Sequence, residues 1–292
     1  MIEEFLNYQK YELNRSEHTI KGYGEDLRAF EAYFKNLDDQ LSWESVDSDV
    51  IRNWMESMMD KGNTATSINR RLSALRSLYR FALSRGLVEK DPAHLVTGPK
   101  RSKPIPQFVR ESEMNQLIDH VEWKDTFEDV EARTIVMTFY ETGVRVSELI
   151  GLDDNAIDFV NKQLLVTGKR KKQRIIPFGE ELEAALHAYM ARRDEDVMRQ
   201  DGALFVTKHG VRMTDSQVRR QVKKCLSLVC TLKKKSPHVL RHTFATAMLN
   251  HDASLEGVRK LLGHESLSTT EIYTHTTFER LKEVYSNAHP RA

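Results

Sequence analysis

The segment 236–251, SPHVLRHTFATAMLNH, holds the residues best suited to chemistry. Proline favours the first turn of a helix, so a helix is predicted to begin near Pro237. Helical spacing then places His238, Arg241 and His242 on one face, opposite an apolar face. A guanidinium binds two phosphate oxygens bidentately, and a neighbouring imidazole donates to the same group or exchanges a proton with it. The pattern therefore suggests a phosphate group as the target.

The same two histidines also have the spacing of a metal-binding pair. No HExxH glutamate, cysteine cluster, acidic metal cluster or Walker motif accompanies them in the sequence. We therefore expect neither a metal nor another cofactor.

Two further segments add residues of compatible chemistry. In TGVRVSELIGL, a glycine turn puts Arg145 at the start of a helical turn, and LLGHESLSTTEIYTH offers His264 and Tyr273. Each has a structural explanation when taken alone: Arg145 as an ion-pair or surface residue, His264 as the cap of a helix end, and Tyr273 as a packing residue. Only their combination with Arg241 indicates a functional set.

The first 90 residues are predicted to form four helices, roughly at 2–13, 17–36, 48–61 and 65–85. Ser16 and Ser48 are typical N-caps, and Gly62 and Gly86 are typical helix ends. The fourth helix has one apolar face and one cationic face. Leu72, Leu75, Tyr79, Ala82 and Leu83 form the apolar face, and Arg70, Ser73, Arg76, Ser77 and Arg80 form the other.

A proline-rich linker is predicted at 91–107, because each proline removes a backbone donor and disfavours helix in the preceding residue. The remainder, 108–292, mixes helices with few strands. The runs QLLVTG and RIIPFG flank the basic segment 169–172, a pattern that predicts a β-hairpin with a charged turn. The predicted helical windows are 111–121, 126–141, 179–199, 214–230, 238–250 and 255–262, with short helices after 268 and 278.

The formal net charge of the 292 residues is only +1, but the basic residues are concentrated in two stretches. Ten Lys or Arg residues lie between Lys208 and Arg241 against the single acid Asp215, and residues 66–86 hold five arginines and no acid. Such stretches favour binding to a phosphate backbone, although solvated helix faces are the simpler alternative for either one. The candidate DNA-binding residues are Arg70, Arg76, Arg80, Arg219 and Arg220.

The sequence also predicts a cytoplasmic protein. No stretch approaches the roughly 18 to 20 apolar residues of a membrane span, and the acidic start MIEEFLNYQK does not have the pattern of a secretory signal. Only two cysteines are present, Cys225 and Cys230, which suits a reducing compartment better than a disulfide framework.

Taken together, these motifs resemble the tyrosine recombinases of the integrase family, and within it the bacterial Xer recombinases. The resemblance rests on the order and spacing of TGVRVSEL, GKRKKQRIIPFG, HVLRHTFAT, LLGH and IYTH, and it extends over essentially the whole chain. It implies a mainly α fold with a small β-hairpin or sheet in the C-terminal domain, arranged as a two-domain DNA clamp. The implied domains are a helical core-binding domain at 1–90, the linker at 91–107 and a catalytic domain at 108–292, whose C-terminal helix at about 278–292 is exchanged with a neighbouring protomer.

The resemblance also implies roles for six residues. Tyr273 would be the nucleophile, Arg145 and Arg241 would hold the scissile phosphate, and His238 and His264 would complete that cradle. The lysine that aligns with the family's catalytic lysine is Lys169, which would protonate the leaving 5′-hydroxyl. Here the sequence departs from the common GKGNKER pattern, so Lys171 and Lys172 remain alternatives.

The implied function is a site-specific recombinase that cleaves and rejoins duplex DNA through a 3′-phosphotyrosyl intermediate and separates chromosome or plasmid dimers at cell division. Its partners would be a DNA recombination site, a second copy or a paralogue in a tetrameric synapse, and a septal DNA translocase. One alternative is recombination of a mobile element or phage. The other, from a different class, is a non-catalytic sequence-specific DNA-binding protein, which would not account for Tyr273.

Overall fold

The computed structural model of the chain divides into two compact units, Met1–Pro104 and Ile105–Ala292. The structure describes residues 1–101, 107–168, 172–263 and 275–292, the last range with its side chains from residue 281 onward. None of the helices in these ranges is long and apolar enough to cross a membrane.

The N-terminal unit is a bundle of four helices, close to the predicted positions. Asp47, rather than the predicted Ser48, caps the third helix, because its carboxylate accepts hydrogen bonds from the N–H groups of Asp49 and Val50 at 2.9 Å each. The helices are α1 at Ile2–Asn7, which continues as a π-helical turn at Tyr8–Glu12, α2 at Glu17–Leu37, α3 at Ser48–Asp60 and α4 at Ala65–Ser84.

Aromatic side chains fill the core of this unit. Phe30 packs against Trp54 with ring centroids 4.8 Å apart and against Trp43 at 5.7 Å. The predicted apolar face of α4 is buried apart from Leu83, which is exposed at the edge of that face. Two residues of the predicted linker, Ala93 and Val96, are also buried in this core.

The C-terminal unit is built around a helix that is buried on nearly all sides. This helix, at Phe127–Thr142, packs against the helices at Glu180–Asp196, Asp215–Val229 and Pro237–Asn250. Two of its buried threonine hydroxyls are satisfied within the helix, since Thr134 and Thr138 donate to the carbonyls of Val130 and Thr134 at 2.8 Å. The helices are α5 at Glu111–Asn115, which continues as a π-helical turn at Gln116–His120, α6 at Phe127–Thr142, α7 at Val146–Ile150, α8 at Glu180–Asp196, α9 at Asp215–Val229, α10 at Pro237–Asn250, α11 at Leu255–Leu262 and α12 at His275–Ala288.

The predicted β-hairpin is present. Strands β2 at Gln163–Thr167 and β3 at Gln173–Pro177 pair antiparallel, with Thr167 opposite Gln173. A further strand, β1 at Ile157–Asp158, pairs with β2 on its other side. The sequence did not predict β1, because two residues are too short to show a strand pattern. With a mainly helical chain and this small sheet, the predicted fold class is confirmed.

In this single chain, the C-terminal helix packs on its own unit. Tyr285 is fully buried and stacks on His289 with ring centroids 5.1 Å apart, and the guanidinium of Arg291 forms ion pairs with Asp119 and Glu181. The exchange predicted for 278–292 concerns an assembly of several chains and is proposed below.

Candidate active site

Arg145 is held in the turn between α6 and α7. Helix α6 ends at Gly143, whose left-handed conformation (φ of 60°) and lack of a side chain are both required, since a Cβ there would lie 2.5 Å from the ring of Phe244. Two residues later, the backbone N–H and Nη1 of Arg145 donate to Glu148 at 2.7 and 2.8 Å. Its Nη2 donates to the carbonyl of Gly263 at 3.2 Å.

Arg241 reaches the same place from α10. Although it was predicted on the polar face of that helix, it is only 7% exposed, and its guanidinium donates to the carbonyls of Gly143 and Leu262. Burial, together with the positive charge of Arg145, lowers the pKa of Arg241 to about 10. Among the described residues, no carboxylate forms an ion pair with Arg241. The positive charges of Arg145 and Arg241 thus lie near each other, and a bound anion would stabilise this arrangement.

The sequence analysis did not identify a buried ion pair next to Arg145, formed by Glu148 and Arg174. Glu148 accepts hydrogen bonds from both Nη atoms of Arg174, on β3, at 2.7 and 2.9 Å. Burial alone would raise the pKa of Glu148, but the hydrogen bonds and charge of Arg174, with those of Arg145, hold it at about 2. The signal in the sequence was Glu148 three residues after Arg145, the spacing at which a glutamate caps the start of a helix.

His238 and His242 both lie on the exposed side of α10. Although His238 is exposed, its pKa is lowered, mainly because neighbouring atoms partly shield the ring from solvent and then by the charges of Arg219, His242 and Arg241. A lowered pKa keeps the imidazole neutral at pH 7 and able to accept a proton. In the described part of the chain, no three His, Cys, Asp or Glu side chains are grouped so as to hold a metal ion.

Three of the predicted catalytic residues, Lys169, His264 and Tyr273, lie outside the described residues. The structure does describe the residues that precede Lys169 and His264. The N–H of Gly168 donates to the carbonyl of Lys172 at 2.7 Å, and Gly263, the residue before His264, accepts from Arg145 as described above.

The predicted DNA-binding arginines of α4 have different surroundings. Arg70 donates to both oxygens of the buried Asp26, one of them at 2.7 Å. Arg76 donates to the carbonyls of Ala93 and Val96 at 3.2 and 2.5 Å. Arg80 is exposed, and no hydrogen bond or ion pair holds it within the described ranges. Arg80 is thus the member of this set that is most available to a ligand.

The two candidates on α9 differ in the same way. Arg219 forms an ion pair with Asp215 one turn earlier on the helix. Arg220 is exposed, with no ion pair to any described residue.

The chain matches two family models. Residues 107–280 match the phage integrase family, and residues 2–86 match the phage integrase N-terminal SAM-like domain. Tyrosine recombinase XerC of Chlorobaculum tepidum is 37% identical over 99% of this chain and 94% of its own length, and that of Pediococcus pentosaceus is 36% identical over 100% and 98%. A crystal structure of the XerH site-specific recombinase bound to palindromic difH substrate, in a post-cleavage complex, is similar in fold, with a TM-score of 0.73, 23% identity and coverage of 98% of this chain and 83% of that one.

The chain therefore belongs to the phage integrase family. Within that family it is a site-specific tyrosine recombinase of the bacterial Xer type, an enzyme that breaks and rejoins DNA. The resemblance stated from the sequence motifs is confirmed.

Proposed function

We propose that Tyr273 is the nucleophile of this recombinase and that Arg145 and Arg241 hold the scissile phosphate. The observation that carries the proposal is that both guanidiniums are held where α6 and α11 end: Arg145 donates to the carbonyl of Gly263, and Arg241 donates to those of Leu262 and Gly143. His238 and His264 complete the cradle, and Lys169 donates a proton to the leaving group.

The proposed chemistry has one reversible step. The phenolate oxygen of Tyr273 attacks phosphorus, the bond from phosphorus to the 5′-oxygen breaks, and that oxygen takes a proton from Lys169. His238, whose lowered pKa leaves the imidazole unprotonated at pH 7, accepts the phenol proton. The arginines stabilise the charge that builds on the non-bridging oxygens in the transition state. The 3′-phosphotyrosyl bond conserves the energy of the broken one, so the reverse reaction rejoins strands without ATP.

Incubation of the protein with a nicked suicide substrate, in the presence of a chelator, tests whether Tyr273 is the nucleophile. The unmodified protein should form a covalent protein–DNA adduct, and Tyr273→Phe should bind DNA normally but form none. Tyr285→Phe is the matched control, because Tyr285 is a second tyrosine near the C-terminus that is fully buried. An adduct that persists in Tyr273→Phe and disappears in Tyr285→Phe would move the nucleophile to Tyr285.

The lysine is tested with a substrate whose 5′-bridging oxygen is replaced by sulfur, since a thiolate leaves without a proton. Lys169→Ala should cleave this substrate far better than the ordinary one. Equal impairment on both substrates, or rescue seen with Lys171→Ala or Lys172→Ala instead, would contradict the assignment.

For the cellular role, we propose the separation of chromosome or plasmid dimers in the cytoplasm, by two pairs of protomers acting on two duplex sites. The protein would act with itself or with a paralogue and would be activated by a septal DNA translocase. The support is the near full-length similarity to proteins named XerC. The N-terminal unit, with exposed Arg80, would bind the duplex as a core-binding domain.

We also propose that α12 exchanges between protomers when the synapse assembles. The structure offers a direct test, because a Cβ on Gly257 of α11 would lie 3.0 Å from Cγ1 of Val284 on α12, close enough for a disulfide between two cysteines. The double variant Gly257→Cys, Val284→Cys should form a disulfide within one chain in free protein. On DNA it should instead yield covalently linked dimers, and bridges that stay within one chain in the synapse would contradict the exchange. The native Cys225 and Cys230 are buried, so we expect them not to compete with the introduced pair.

A further inference from the structure

Arg174 joins three segments of the catalytic unit with one guanidinium. Its Nη1 and Nη2 donate to the two oxygens of Glu148 at 2.7 and 2.9 Å, and its Nε donates to the carbonyl of Leu261 at 2.9 Å. The three segments are strand β3, helix α7 and the end of helix α11. Glu148 and Leu261 are 26 and 87 residues away from Arg174 along the chain.

Helix α7 and the end of helix α11 each hold partners of an arginine with a proposed catalytic role. Glu148 fixes the backbone and side chain of Arg145. Leu261 is followed by Leu262, whose carbonyl accepts from Arg241, and by Gly263, whose carbonyl accepts from Arg145. Movement of Arg174 would therefore disturb the partners of both arginines.

The packing around Arg174 leaves little room for such movement. Its side chain is only 8% exposed. A Cβ on Gly263 would lie 3.1 Å from Cδ of Arg174 and 3.2 Å from Nε, so the guanidinium packs directly against that turn. Gly263 also adopts a left-handed backbone (φ of 62°) that suits glycine.

We propose that Arg174 is a positioning residue that fixes the phosphate-holding pair Arg145 and Arg241 through Glu148 and the 261–263 turn. We assign it no contact with the phosphate, since both its Nη atoms bind the carboxylate of Glu148 in a buried ion pair and its Nε binds the carbonyl of Leu261. The role requires a planar fork, because an ammonium group is a point charge that cannot bind both carboxylate oxygens and the Leu261 carbonyl in this geometry. This inference rests on the proposed roles of Arg145 and Arg241.

The test compares Arg174→Lys with Arg193→Lys. Arg193 is a matched control in the same unit, because it is fully buried, binds both oxygens of Asp154 at 2.7 and 2.9 Å and donates to the carbonyl of Leu204 at 2.9 Å. It is thus tied to a carboxylate and a carbonyl as Arg174 is, but to none of the partners of Arg145 and Arg241. A similar loss of stability is expected in both variants.

The rate of DNA cleavage should distinguish Arg174→Lys from Arg193→Lys. In single turnovers on the suicide substrate with saturating protein, we expect Arg174→Lys to cleave about 10- to 100-fold more slowly, the size of effect that follows small misplacement of reacting groups. Its affinity for a single half-site should stay within about twofold of the unmodified protein, since surface phosphate contacts are unaltered. Arg193→Lys should cleave at the unmodified rate. Equal rates for the two variants would overturn the proposal.

A second readout excludes a purely structural role and separates this inference from the catalytic assignments. The 5′-phosphorothiolate substrate removes the need for a proton donor but still needs the phosphate held, so Arg174→Lys should remain slow on it. Rescue by sulfur would place the effect in the lysine hairpin and overturn the proposal. If the Arg145 and Arg241 assignments are themselves wrong, Arg145→Ala will cleave normally, whatever Arg174→Lys does.

If Arg174→Lys fails to fold, Gly263→Ala serves instead, because its methyl group would push the same guanidinium aside. It should give the same slow cleavage on both substrates. Normal cleavage by folded Gly263→Ala would also overturn the proposal.

Discussion

The chain holds two groups of arginines that look alike in sequence and differ in surroundings. On α4, Arg70 pairs with Asp26, Arg76 holds backbone carbonyls, and Arg80 is exposed. In the catalytic unit, Arg145 donates to Glu148 and to the carbonyl of Gly263, whereas Arg241 donates to two carbonyls and forms an ion pair with no acid among the described residues. The comparison shows that arginines that look alike in sequence differ in their partner, which is an acid, a backbone carbonyl or solvent.

The carboxyl groups that pair with these arginines, Asp26 on α2 and Glu148 on α7, also differ, and their pKa values shift in opposite directions. Burial raises the pKa of Asp26 despite its arginine neighbours, whereas Arg174 and Arg145 more than offset burial at Glu148 and lower its pKa. The carboxyl of Glu148 therefore loses its proton more readily than a free one, and that of Asp26 less readily.

The largest expected effect is the loss of cleavage rate when an arginine of the catalytic unit, rather than one of α4, is replaced. Arg145→Ala and Arg241→Ala should each slow cleavage by roughly 10² to 10³, the size expected for the loss of one preorganised transition-state donor. Arg80→Ala should cleave at the unmodified rate once protein is saturating. Single-turnover rates on the suicide substrate measure both, and a defect in Arg241→Ala that saturating protein restores would mean that Arg241 only binds.

The next effect concerns stability and pH, and it has opposite signs in the two units. Glu148, with a pKa of about 2 when folded against an ordinary 4.5, contributes stability above pH 4.5 that is lost as pH falls toward 2. Glu148→Gln should therefore cost about 3 kcal/mol of unfolding free energy at pH 7 and much less near pH 3.

Asp26 gives the opposite slope, because its raised pKa makes the folded state favour the protonated form. The cost of Asp26→Asn should be greatest below the ordinary value of 3.8 and should shrink as pH rises through the raised pKa. Urea unfolding of the full chain between pH 3 and 7 measures both variants. Parallel slopes would show that the two carboxylates are equivalent.

The smallest effect sharpens the comparison within α4. Arg76→Ala should lower the unfolding free energy by about 1 to 2 kcal/mol, because the carbonyls of Ala93 and Val96 lose their donor, while DNA affinity changes little. Arg80→Ala should leave stability within about 0.5 kcal/mol but reduce the slope of log affinity against log salt by about 1. Salt titrations of half-site binding and urea unfolding distinguish the two, and a reversed pattern would assign DNA contact to Arg76.

Much of the architecture was determined locally by the sequence. The four N-terminal helices follow from apolar periodicity and capping residues such as Ser16, whose hydroxyl accepts from the N–H of Thr19. The hairpin follows from two apolar runs around a charged turn, and its register alternates buried Leu164 and Val166 with exposed Leu165. The order of the five family motifs identified the class of enzyme.

Only the tertiary structure decided which charges meet. Arg241 was predicted on the polar face of its helix but is buried, because its guanidinium reaches a carbonyl 98 residues away at Gly143. Arg174 appeared in the sequence only as one more basic residue after the charged turn, yet its partners lie at Glu148 and Leu261. Local periodicity reports which face of an element is apolar. It carries no information on which distant carbonyl or carboxylate a long, flexible guanidinium will reach, since packing of the whole unit fixes that contact.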